Sequence, residues 1–360
     1  SGGYNWFWAV ARHHEWHSIT LMSSMKKWLK RFAGVVLSLL LLILLLFGYF
    51  NMPAPAPRED VSLGMTFSTR YAEGLGLDWR ETYLALLDEV GVKKMRLPVY
   101  WDLVESTKGT YNFSDVDWQI EEAGKRGAEV ILAVGIKVPR WPECHIPGWV
   151  GESPEARRSG ILAFIETTVN RYKDTGTIVS WQIENEPFLR FGVCPPFDVT
   201  LLDEEIALTK RLDPTRPVIV TDSGELSLWV HAAARGDEFG TTMYRDIYSP
   251  KVGGYFEYPL GPNFFRFKEK MVRLFTDQEH FMVIELQAEP WASGWIAEVS
   301  LEEQFRTMNE HRLRDNVDYA RQVGFEEIYL WGGEWWYWMK TKKNYPAVWE
   351  TAKDLYREHK

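Results

Sequence analysis

From residue 61 onward the chain alternates apolar runs with capped, amphipathic segments, and it does so eight times. Runs that are apolar on both sides suit parallel strands covered by helices, because only such strands lose water from both faces. The expected strands are 61–67, 92–100, 129–135, 178–186, 217–221, 241–248, 280–285 and 327–331. Between them, Asp78 with Glu81, Ser114 with Asp117, Ser153 with Pro154, Thr200 with Asp203 and Ser300 with Glu303 open helices. Gly91, Gly127, Gly176 and Gly324 close four of these, and further helices are expected over 225–234, 262–275 and 347–358. Eight strands, each followed by a helix or helical loop over about 300 residues, is the count and size of an α/β fold of the (β/α)8 TIM-barrel type. A doubly wound open sheet would normally carry a glycine-rich phosphate loop after its first strand; the nearest candidate, Gly74-Leu75-Gly76, lacks the third glycine.

In a TIM barrel, chemistry sits at the C-terminal ends of the strands. Two runs end there in a carboxylate: Trp181-Gln182-Ile183-Glu184-Asn185-Glu186-Pro187 and Phe281-Met282-Val283-Ile284-Glu285-Leu286. The same ends carry Arg96 on strand two, Tyr244 on strand six and Trp331 on strand eight. Glu184 and Glu289 are the competing acids, the first deeper on strand four and the second four residues beyond Glu285. A pair of carboxyl groups whose surroundings push their pKa values apart can split a glycosidic bond, one protonating the leaving oxygen and the other attacking as an anion.

Asn185-Glu186-Pro187 ending strand four, a Glu ending strand seven, and Arg, Tyr and Trp on strands two, six and eight together resemble clan A of the glycoside hydrolases, the group of family 5-like cellulases and β-glycosidases. The resemblance covers nearly all of residues 61–350. It implies a retaining O-glycosyl hydrolase that needs no metal or cofactor, with Glu186 as general acid/base and Glu285 as nucleophile. It further implies that Asn185 hydrogen-bonds the sugar 2-hydroxyl, that Tyr244 touches the nucleophile, that Arg96 keeps it ionised, and that Trp331 floors the subsite of the attacked sugar. Many relatives place a His after strand three; here Lys137, Arg140 and His145 are all open candidates for that place.

Other residues extend the expected cleft. Trp141 follows strand three and is a candidate substrate contact, and Glu334, after Gly332 and Gly333, is a candidate for a sugar hydroxyl. Trp335, Trp336, Tyr337 and Trp338 beside it are expected to serve stacking more than core, with at least two of them packing on the barrel. Asp222, Glu225, His231 and Asp246 have no metal-ligand spacing. A high aromatic content, 15% with 18 Trp, supplies more flat apolar surface than a core requires and suits an oligo- or polysaccharide substrate. Endo-action on a β-glucan or mannan is the first expectation and exo-action on a β-glucoside or β-galactoside the second. A catalytically inactive carbohydrate-binding or cell-surface barrel is the alternative of a different class.

The N-terminal part has a different character. Residues 1–57 hold five basic side chains against one acid, so the net charge of −9 leaves −13 for the rest, an acidic domain that argues against nucleic acid. Phe32 to Phe50 is a stretch of nineteen uncharged residues, eleven of them Leu, Ile or Val, long enough to cross a bilayer. Lys26, Lys27, Lys30 and Arg31 precede it, so the positive-inside rule puts the N-terminal side in the cytoplasm and the barrel outside. The organisation expected is a leader over 1–24, disordered or not native because Met25-Lys26-Lys27-Trp28 resembles a natural start; a basic flank and signal anchor over 25–52; a Pro-rich linker over 53–60; and the barrel over 61–360, acting as a monomer at the cell membrane. Cleavage near Ala56 would make it secreted, but Pro57 disfavours that. His13, His14 and His17 in the leader do not form a metal motif. Cys144 and Cys194 are the two cysteines, an even count that permits a disulfide in an oxidising compartment.

Overall fold

The computed structural model describes the backbone of residues 5–53 and 55–359, with side chains from residue 25 onward. The chain divides into two units at Pro53.

In the first unit one helix, Asn5–Phe50, runs through both the expected leader and the apolar segment. No proline interrupts residues 5–50, so nothing in the covalent chain stops the helix before Asn51. Met25–Phe50 is long and apolar enough to cross a membrane, with a mean hydropathy of 2.7 and none of its most apolar window buried. The His-rich leader motif and Ala54 of the cleavage reading lie outside the described side chains and residues.

In the second unit eight parallel strands close into a barrel: β1 (Ser62–Thr66), β2 (Lys94–Pro98), β3 (Glu129–Val134), β4 (Ile178–Ile183), β5 (Val218–Asp222), β6 (Glu238–Met243), β9 (Phe281–Gln287) and β10 (Glu327–Trp331). Between β6 and β9 the chain inserts an antiparallel hairpin, β7 (Asp246–Ser249) and β8 (Gly254–Glu257). The sixth strand thus begins before the expected 241 and ends before 248. Gly240, which the observed strand includes, is required there, because a Cβ would meet the Ile284 side chain at 2.8 Å. Gly64 answers the same need on β1, where a Cβ would lie 2.4 Å from the Tyr329 ring. These two glycines make room for an interior layer of Ile131, Ile219, Met282, Ile284 and Tyr329, separate from the larger apolar core between strands and helices.

The helices differ as well, and the one expected over 225–234 spans only Val230–Ala233. The segment opened by Ser300 is two helices, Leu301–Thr307 and Glu310–Val323, because the Asn309 side chain accepts from the His311 and Arg312 amides and starts a second helix there. After β10 the chain turns at Gly332 (φ 142°) into a helix, Gly333–Lys342, that buries Glu334, Trp335, Trp336, Tyr337 and Trp338. The expectation that these aromatics serve stacking is therefore corrected. Gly333 lies against Met65 and Leu86 too closely for a Cβ, and the Trp335 and Trp336 indoles donate to Gln304 Oε1 (2.8 Å) and the Ala288 carbonyl (2.7 Å). The end of the Pro-rich linker is docked on the barrel: Arg58 donates its amide to the Arg321 carbonyl at 3.1 Å and its guanidinium to Glu326 at 2.8 Å.

Candidate active site

At the C-terminal mouth the strand pattern alone would aim Glu285 the wrong way. Side chains alternate along a strand, and Ile284 faces the barrel interior. However, β6 pairs Thr241 with Val283 and then Thr242 with Glu285, while β10 pairs Ile328 with Val283 and then Leu330 with Leu286. Both neighbours thus register one extra residue in β9, a bulge that turns Glu285 to the interior side as well.

There Glu285, 3% exposed, meets Arg96 from β2, which is completely buried. Arg96 Nη1 donates to Glu285 Oε1, Nη2 to Asn185 Oδ1 and Nε to Gln182 Oε1, each at 2.7 Å. Tyr244 donates its hydroxyl to the other oxygen of Glu285 at 3.0 Å. Burial first, then the charges of Glu285 and Glu186, push the Tyr244 phenol well up, which keeps it a donor.

Glu186 and Glu184 leave β4 by opposite routes. Both residues have left-handed backbones, φ 43° and 57°, which are uncommon outside glycine. Glu184 turns behind the strand and accepts from the Ile136 and Lys137 amides at 2.6 and 2.8 Å; Gly135 permits this, since a Cβ there would lie 2.5 Å from Glu184 Oε1. Glu186 turns to the mouth, where Thr242 donates to its Oε1 at 3.1 Å and its own amide donates to Thr221. Because Thr242 is the β6 register partner of Glu285, the two carboxyl groups flank one residue. Burial raises the Glu186 carboxyl well above the usual range, the Glu285 charge adds to the rise and Glu143 adds less, while Lys137 and the Thr242 hydrogen bond oppose it. One acid is therefore held toward its neutral form beside another engaged by an arginine and a phenol.

A second buried cluster lies alongside. Arg140 pairs with both oxygens of Glu289 and with Glu334 Oε2 at 3.2 Å, and stacks over the Tyr71 and Trp331 rings at 3.7 and 4.0 Å. Trp331 donates to Glu289 at 2.8 Å, and Glu334 also accepts from the Ser68 amide at 2.6 Å. Glu289 and Glu334 thus have protein partners, and one face of Trp331 is covered by Arg140. Burial raises Glu334 to about 7.

Of the three candidates after strand three, Arg140 belongs to this cluster, Lys137 donates to the Glu186 and Leu189 carbonyls at 3.0 Å, and His145 packs on Tyr100. The residue that reaches Asn185 is Glu143, which sequence reasoning did not single out: Asn185 Nδ2 lies 3.5 Å from its Oε2. Cys144 next to it is disulfide-bonded to Cys194. At the rim Trp141, 65% exposed, contacts Phe191, which contacts Trp291, which packs edge-on against Tyr244. Glu225, after β5, accepts from the Tyr244 amide at 3.0 Å and Asp246, at the start of β7, pairs with Arg312, so both acids serve the frame of the site.

Residues 65–224 match the family model of Cellulase (glycosyl hydrolase family 5). The chain is 28% identical over 123 residues to β-galactosidase BgaA of Clostridium cellulovorans, covering 28% of this chain and 18% of that protein. It is 24% identical over 128 residues to β-galactosidase Bga of Halorubrum lacusprofundi, covering 30% and 18%. The match therefore spans under a fifth of the length of these curated relatives. A GH10 endoxylanase from a sugarcane soil metagenome superposes with a TM-score of 0.55 at 15% identity over 82% of this chain and 97% of its own. An exo-β-1,4-mannosidase of an Opitutaceae bacterium gives 0.53 at 16% identity over 75% and 51%. The resemblance to clan A glycoside hydrolases is borne out. The matched span includes Arg96, Trp141, Asn185 and Glu186; Tyr244, Glu285, Trp331 and Glu334 lie beyond it.

Proposed function

We propose that this glycoside hydrolase barrel is a retaining β-glycosidase that works by double displacement with Glu186 and Glu285. The reading rests on one observation: at the C-terminal mouth of the barrel one buried carboxyl group is biased toward its neutral form while the other is paired with Arg96 and Tyr244. In the first step Glu285 attacks the anomeric carbon, and Glu186 gives its proton to the departing glycosidic oxygen. In the second, Glu186 takes a proton from water, whose oxygen displaces Glu285 from the sugar. Arg96 and Tyr244 hold the nucleophile in place through both steps and need not move as charge shifts, which is where preorganised donors contribute most.

The substrate is a β-linked glycan, and the exposed aromatic rim of Trp141, Phe191 and Trp291 supplies stacking surface for it. Two curated relatives carry the name β-galactosidase, so an aryl β-galactoside is the first substrate to try, followed by the glucoside, mannoside and xyloside. We read Met25–Phe50 as an uncleaved anchor with the barrel outside the cytoplasm, where the Cys144–Cys194 disulfide would persist. The test compares the chain with Glu186→Ala and Glu285→Ala on those four aryl glycosides. Loss of an acid/base costs about 10²–10⁴-fold, and the reading fails if neither substitution lowers turnover.

A further inference from the structure

Glu143 sits in the loop after β3, and its position is fixed from several sides. The backbone is left-handed at Arg140 (φ 88°) and again at Glu143 (φ 74°), each a costly conformation for a residue with a side chain. The turn is held by hydrogen bonds from the Glu143 amide to the Arg140 carbonyl (2.8 Å) and from the Val138 amide to the Glu143 carbonyl (2.9 Å). It is tied to the loop after β4 by the Cys144–Cys194 disulfide and by the Val193 amide donating to the Pro142 carbonyl at 3.0 Å. Gly192 lets the two loops approach, since a Cβ there would lie 2.6 Å from that of Glu143. All of this places a carboxyl group, 7% exposed, beside Asn185.

The Asn185 amide has a determined orientation. Its Oδ1 accepts from Arg96 (2.7 Å), Gln182 (3.3 Å) and Thr221 (3.4 Å), so its Nδ2 must be the end that faces Glu143. The Nδ2 to Oε2 separation of 3.5 Å is long for a hydrogen bond. Among the described residues no donor reaches Glu143 Oε1, and that atom is not one of the enclosed unpaired ones. A donor and an acceptor thus stand side by side at the site, joined only by this long contact.

If Glu186 and Glu285 act as proposed, the anomeric carbon lies between them, and the resemblance to clan A implies that the substituent on the adjacent sugar carbon meets Asn185. We propose that Glu143 completes a clamp with Asn185 on that 2-substituent, so that Glu143 selects sugars carrying at C2 a hydroxyl group, which accepts from Asn185 Nδ2 and donates to Glu143, or an ammonium group, which donates to Glu143 alone. A 2-hydroxyl satisfies both partners of the clamp, whereas a 2-ammonium offers Asn185 no lone pair and is held by the charge of Glu143. A 2-deoxy sugar leaves a buried carboxyl group and an amide facing each other across a gap, the loss that makes polar sites discriminate strongly.

The test measures kcat/KM of wild type, Glu143→Ala and Glu143→Gln on a 4-nitrophenyl β-glycoside, its 2-deoxy analogue and its 2-amino analogue. Comparing ratios between enzymes cancels the intrinsic reactivity of each substrate. Glu143→Ala should reduce the 2-hydroxy to 2-deoxy preference by about 10-fold or more. Glu143→Gln should retain most of that preference, since its carboxamide oxygen still accepts, while losing the preference for the 2-amino sugar. Equal loss on all three substrates in both variants would mean a structural role only and overturns the clamp. Should Glu143→Ala not fold, the 2-amino to 2-hydroxy ratio of Glu143→Gln decides alone. Turnover that depends on Glu186 and Glu285 with unchanged ratios refutes the clamp but keeps the glycosidase. Absence of any turnover dependent on those two acids refutes both.

Discussion

Arg96→Met is the substitution whose cost the geometry fixes best. Methionine fills most of the volume of the arginine stem but supplies no donor, and Arg96 is completely buried. The change strips Glu285, 3% exposed, of the one ion-pair partner it has among the described residues. Breaking a buried pair from one side costs about 3–5 kcal/mol, because an uncompensated charge stays behind. Gln182 and Asn185 each lose a 2.7 Å hydrogen bond at the same time, which pushes the cost toward the upper end of that range. At roughly 2–4 °C per kcal/mol for a domain of this class, the melting temperature should fall by about 10 °C. Adding Glu285→Gln removes the orphaned charge, so the double variant should recover roughly 2 kcal/mol although it carries one more substitution. Thermal unfolding of the detergent-solubilised chain, followed by near-ultraviolet circular dichroism, reads both effects. A single variant within about 1 kcal/mol of wild type, or a double variant no more stable than the single, would refute the claim that Arg96 and Glu285 form a buried, mutually dependent pair.

Two further outcomes follow from the same site. Glu186 must be protonated to act as the acid, so activity should fall as pH rises through its raised pKa; Thr242 favours its charged form, and Thr242→Val should move that alkaline limb of kcat/KM to higher pH. A limb that stays put or moves down would contradict the assignment of Glu186. Removing the disulfide with Cys144→Ala and Cys194→Ala opens a loop of sequence separation 50, worth about 4 kcal/mol by chain entropy, and should also weaken turnover because it frees the loop carrying Glu143 and Trp141. Denaturant unfolding and steady-state kinetics on the double variant check the two parts separately.

Much of the fold was legible because parallel strands buried on both faces leave long apolar runs, and glycines and caps punctuate what lies between. The start of the sixth strand lies three residues before the expected one, and the Gly240 it includes answers a need the local sequence does not show, the Ile284 side chain on the neighbouring strand β9. The tryptophan-rich helix after β10 was missed for a related reason: two glycines suggest a loop, but Gly332 makes the turn and Gly333 packs against Met65. The residues of the candidate site came from strand ends, yet their orientation did not. Glu285 faces the interior through a bulge, and Glu184 and Glu186 part through two left-handed residues, features that no period in the sequence announces. Glu143 was illegible because its place depends on a backbone held by contacts with a loop some fifty positions away.

The central claim, that Glu285 is the nucleophile and Glu186 its acid/base, is tested most directly by azide rescue. Glu285→Gly should be inactive on an activated aryl β-glycoside, and azide should restore turnover by entering the vacated space and giving the α-glycosyl azide. Rescue of Glu289→Gly in its place, or a β-glycosyl azide from Glu285→Gly, would contradict it.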